Sequence, residues 1–112
     1  MASVVSYSGG SYITPTTPQD PSNHVSAVLT YGKQGTDVVV LDFHTQSVAY
    51  YNTYQPMGYY TMMCDHEMGH MIDTNVEPHV EQFFKDHPYK VSPEPYTPTI
   101  PAGWPTYCKN MP

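Results

Sequence analysis

The sequence predicts an α/β fold built on a small parallel sheet. Short, continuous apolar runs of strand length recur along the chain, helical segments alternate with them, and a proline-studded stretch closes the sequence. The first run, residues 2–7 (ASVVSY), is β-branched and aromatic and stops at Gly9–Gly10, so a strand ending in a turn is expected. Residues 14–23 (TPTTPQDPSN) form a Pro-rich loop. Residues 25–31 (VSAVLTY) make a second strand stopped by Gly32, and 32–37 (GKQGTD) are a loop with two glycines.

Residues 38–43 are apolar and ambiguous: a strand, or the entry to a helix running through 46–54. Gly58 then opens a third strand over 59–64 (YYTMMC). Pro78 suits the first position of a helix, and the segment to Lys85 places Val80, Phe83 and Phe84 on one face. His87–Pro88 ends that helix, because the residue before proline avoids the helical region. Residues 1–89 therefore hold the strands and helices of a single domain. Residues 90–112 are expected to be an extended, irregular tail. About three parallel strands are few for a free-standing α/β domain and leave an apolar edge unpaired, which points to a partial domain.

Composition narrows the function. The chain has 112 residues, enough for one domain at most. Its formal charge is −6, with four basic residues in all, so it lacks the Lys/Arg cluster that holds a phosphate backbone and no nucleic-acid partner is expected. No apolar run reaches membrane-spanning length, so no membrane partner is expected either. Residues 1–10 lack the basic and apolar parts of a secretory signal, so a signal, if the protein is secreted, is expected outside this chain. With 12 prolines, 11 tyrosines and only 12% charged residues, the composition suits a loop-rich secreted domain. Cys64 and Cys108 have no paired spacing of the zinc-knuckle kind. A disulfide between them would close a loop of about 45 residues and tie down the tail, contributing roughly 3–4 kcal/mol.

The segment from Cys64 to Ile72 (CDHEMGHMI) carries the chemistry, and three readings of it stand open. His66-Glu67-Met68-Gly69-His70 is a literal H-E-x-x-H. On a helix, His66 and His70 would share a face and bind Zn²⁺, with Glu67 as general base. The longer metzincin pattern fails, because Asp73 and Val76 stand where glycine and a third histidine belong. Alternatively, His70 lies in a loop beyond the third strand and Asp37 in a loop beyond the second. Acid before histidine, each after a strand, is the order of an α/β-hydrolase triad, in which the histidine takes the serine proton and the acid fixes its tautomer. The third reading makes both histidines structural.

Several segments together resemble the C-terminal end of the extracellular poly(3-hydroxybutyrate) depolymerase-like and feruloyl-esterase-like α/β-hydrolases. In order they are residues 2–10 (ASVVSYSGG), Tyr31-Gly32 through Asp37, Cys64-Asp65-His66 with Gly69-His70, Phe83-Phe84-Lys85-Asp86-His87-Pro88, and Trp104-Pro105-Thr106-Tyr107-Cys108. The resemblance implies the C-terminal portion of an α/β-hydrolase fold, an ester substrate, an extracellular location and no cofactor. It places the catalytic acid on Asp37 and the catalytic base on His70. It also implies a partner, the missing N-terminal part of the domain, because the family's G-x-S-x-G nucleophile motif is absent. Ser8 does not replace it, since the motif needs glycine where Ser6 stands, and Ser8 is expected to be a turn residue. Asp42, a rival acid, is expected to cap or support a helix.

Overall fold

The structure is a computed structural model that describes residues 2–9, 20, 22–39 and 41–110. The Pro-rich loop expected over residues 14–23 falls largely outside the described residues. A mixed α/β architecture emerges, with a sheet of four strands ordered β1-β2-β3-β4. These are β1 (Ser3–Tyr7), β2 (Ser26–Tyr31), β3 (Thr61–Asp65) and β4 (Cys108–Asn110). β1 pairs parallel with β2, and β2 parallel with β3, in a register that sets Tyr31 opposite Asp65. The C-terminal ends of these three strands therefore share one edge of the sheet.

β2 is buried at all six of its residues, as the near-continuous apolar run of a strand covered on both faces requires. Alternation divides its side chains. Ala27, Leu29 and Tyr31 join Met63 beneath Val48, Tyr50 and Tyr51 of helix α1 (Phe43–Tyr54). On the opposite face Val28, Met62 and Cys64 pack with Phe83 of helix α2 (Val80–Asp86), and with Val76, Tyr96 and Cys108.

Local chemistry explains the helix boundaries. The described residues of the ambiguous 38–43 segment form no strand. Asp42 caps α1, accepting from the His44 and Thr45 backbone N–H groups at 3.1 and 3.4 Å, so its role is the capping one. The apolar Val38 and Val39 before it are exposed rather than buried. Pro78 falls inside a short 3₁₀ turn, Glu77–His79, that leads into α2 instead of opening it. Phe84 does not share the buried face expected for it. Phe83 is fully buried, whereas Phe84 is 44% exposed, because a helix this short offers the core only a narrow stripe.

The tail departs furthest from expectation. It is not wholly irregular: its last described residues form β4, which runs antiparallel to β3 and adds a fourth strand to the three expected. The Cys64–Cys108 disulfide is present and joins residues directly opposite each other on these two strands. Before β4, the tail lays Tyr96 and Trp104 onto the core. Glu94 anchors it, accepting from His87 Nε2 at 2.6 Å and from the Tyr96 N–H at 3.0 Å.

Candidate functional site

The loops that leave β1, β2 and β3 meet at the C-terminal edge of the sheet, where open α/β folds place their sites. Asp37, in the loop after β2, is fully buried. His70, in the loop after β3, presents Nδ1 at 2.9 Å from Asp37 Oδ1 and is 47% exposed. Sequence separation between them is 33 residues, so the sheet alone brings them together.

Two further groups hold the acid. The Gly32 N–H donates to Oδ2 at 2.9 Å. The Ser8 hydroxyl reaches both carboxylate oxygens, at 3.0 and 2.9 Å. Burial pushes the Asp37 carboxyl up, but the Gly32 N–H, His70 and Ser8 together outweigh it, and the carboxyl sits below its ordinary range. An ionised Asp37 accepts the His70 Nδ1–H, which leaves Nε2 on the far side of the ring with a free lone pair. Phe43, the first residue of α1, stacks on the His70 ring at 5.2 Å between centroids and fixes its plane.

Gly32 lets the two loops approach. A β-carbon there would lie 1.9 Å from the Met68 carbonyl oxygen and 2.9 Å from the Asp37 Cβ. Next to it, the Lys33 N–H donates to that same Met68 oxygen at 3.1 Å, stitching the acid loop to the histidine loop. These loops also expose Val38, Val39, Met68, Met71 and Ile72, an apolar rim near the dyad.

Residues 66–70 form no helix, so the face-sharing His66–His70 pair of the H-E-x-x-H reading does not arise. Glu67 has φ +58°, a left-handed turn that ends the strand direction. His66 is turned inward, only 7% exposed, and its Nδ1 accepts from the Met68 N–H at 3.1 Å. That bond places the ring proton on Nε2, which removes the lone pair a metal ion would need. Among the described residues, no group of three His, Cys, Asp or Glu side chains is placed to hold a metal ion.

Two contributors escape a reading of the sequence. Ser8 is in a turn, as expected, with φ +52°, but it also supports the acid. Its position just past β1, equivalent to that of Asp37 past β2, is the signal that identifies it. His44 donates from Nδ1 to the Gly32 carbonyl at 3.0 Å and lies 3.6 Å from Asp65 Oδ2, thereby bracing the same loop. No local pattern marks it. No known family model, curated protein or solved structure matches the chain.

Proposed function

We propose that this chain is the acid-and-histidine part of a secreted serine esterase of the α/β-hydrolase type, inactive in ester hydrolysis by itself. The observation that carries the reading is the buried, ionised Asp37 at 2.9 Å from Nδ1 of a half-exposed His70, on the C-terminal edge of parallel strands. In such a dyad the aspartate sets the histidine tautomer and stabilises the imidazolium, and Nε2 takes the proton of a nucleophile. Ser8 is not that nucleophile, because its hydroxyl serves Asp37 rather than His70. The serine would come from a polypeptide segment alongside β1, the outer parallel strand of the described sheet. The exposed Val38, Val39, Met68, Met71 and Ile72 suit an apolar acyl or aromatic portion of a polyester, short-chain acyl or plant-phenolic ester. The disulfide fits an oxidising compartment, in keeping with an extracellular location.

Two measurements test the proposal. Short-chain nitrophenyl esters should not be turned over by the isolated chain, because its sequence has no G-x-S-x-G to supply the serine that forms the acyl-enzyme. Turnover abolished by a fluorophosphonate label would overturn that half. The gene sequence preceding the Met1 codon should contain an in-frame G-x-S-x-G, and a stop codon in its place would overturn the other half.

A further inference from the structure

A cleft of about 520 Å³ opens at the C-terminal end of β3, with neither Asp37 nor His70 in its walls. Its volume falls within the range of small-molecule sites, roughly 300–1,000 Å³. Tyr31, Asp65, His66, Glu67, Tyr107 and Lys109 are among the residues that line it. The proposed esterase chemistry uses none of them.

Internal hydrogen bonds hold several of these groups in place. Asp65 Oδ1 accepts from the Glu67 N–H at 2.9 Å. The Tyr107 hydroxyl donates to both Asp73 oxygens, at 2.7 and 2.8 Å, which fixes its ring. His66 is fixed through Nδ1 by the Met68 N–H, so its proton is on Nε2. That Nε2 is buried without a hydrogen-bond partner. His66 lines the cleft, and an acceptor oxygen that displaced the atoms covering Nε2 would relieve the cost of this unpaired buried donor. Polar groups ordered in advance also lower the entropy lost on binding.

Charge selects among ligands. Asp65 and Glu67 face one ammonium, Lys109, in a chain of formal charge −6, so the cleft disfavours anions. A cation would satisfy the carboxylates but offers nothing to Lys109 or the His66 N–H. A hydroxyl donates and accepts at once, and so answers both sets. Tyr31 and Tyr107 add an aromatic wall for the C–H face of a ring. We infer that this cleft binds a neutral, polyhydroxylated ligand, a mono- or disaccharide unit. The inference does not depend on ester hydrolysis, since it concerns binding by residues outside the dyad.

Amide chemical shifts of the isotope-labelled, disulfide-intact chain should be followed during titration with cellobiose and xylobiose. Sodium acetate and methylammonium chloride serve as the charged comparisons. Saturating shifts are expected at 65–67 and 106–109 with at least one disaccharide. Glu67→Gln and Lys109→Gln, both at exposed positions, should each weaken binding about fivefold with the melting temperature unchanged, the equivalent of one lost hydrogen bond. His66→Phe should weaken it similarly, and the Glu67 and Lys109 variants decide the matter if that core change unfolds the chain. Absence of saturating shifts with both disaccharides would overturn the inference. Tighter saturation of the same amides by acetate or methylammonium would overturn it equally.

Discussion

Oδ1 of Asp37 lies 2.9 Å from Nδ1 of His70, although 33 positions separate them in the chain. The contact ties the loop after β2 to the loop after β3, and so acts on stability as well as on any chemistry. Asp37→Ala would strand the buried Gly32 N–H and the Ser8 hydroxyl together with His70 Nδ1. The expected loss is about 3 kcal/mol in urea unfolding, against about 1 kcal/mol for Ser8→Ala. Equal midpoints for the parent and Asp37→Ala would show that the acid does not organise the site.

The lowered Asp37 carboxyl gives a pH signature. A carboxyl whose folded pKa is depressed adds stability above its unfolded pKa of about 3.9, and loses it as pH falls through the lower folded value. The parent should therefore lose more melting temperature than Asp37→Asn as pH drops below about 4. Parallel curves for the two proteins over that range would contradict the assignment.

Gly32→Ala tests the loop junction. Its β-carbon would meet the Met68 carbonyl oxygen at 1.9 Å, so backbone must move rather than a side-chain tip. The expected cost is about 2–3 kcal/mol. Amide hydrogen exchange should accelerate at Lys33, whose N–H bonds that oxygen. Unchanged exchange and stability would mean that the loops do not pack as described.

Reduction of the Cys64–Cys108 bond, or the double change to serine, should cost roughly 3–4 kcal/mol for a bridge spanning 44 positions. Because β4 has three residues, its pairing with β3 should fail first, with loss of protection at Lys109 and Met63. Free-thiol titration of the air-oxidised, folded protein should find no reactive thiol. Two reactive thiols would reject the bridge.

At high pH the tyrosines limit the fold. Burial, and secondarily the Asp65 carboxylate, pushes Tyr31 up to about 12. Burial, followed by the hydrogen bond to Asp73, does the same for Tyr107. Tyr60 and Tyr96 are also raised, chiefly by burial. Groups with raised folded pKa values contribute fully below the unfolded value of about 10 and lose that contribution as pH climbs toward the folded one. Tyrosinate absorbance should rise together with loss of helix signal between about pH 10 and 12. Tyrosinate formation complete near pH 10 with the fold intact would contradict this.

By itself, the sequence determined the parallel core. Apolar runs bounded by Gly32 and Gly58 specify β2 and β3 because a strand buried on both faces needs little beyond an unbroken apolar stretch. Strand order also placed Asp37 and His70 past neighbouring strands, which is why their meeting was legible without coordinates. Only the tertiary structure decided what lies outside local pattern. β4 is too short to show a period and exists through its pairing with β3 and the disulfide. Phe83 turns inward and Phe84 outward because only packing says which side of a short helix meets the sheet. Ser8 and His44 join the acid loop through contacts spanning 29 and 12 residues, and the inward-turned His66 is held by the Met68 N–H across the left-handed Glu67. Hydrogen bonds between distant loops leave no periodic trace in a sequence, because the partner of each group is chosen by the fold and not by its neighbours in the chain.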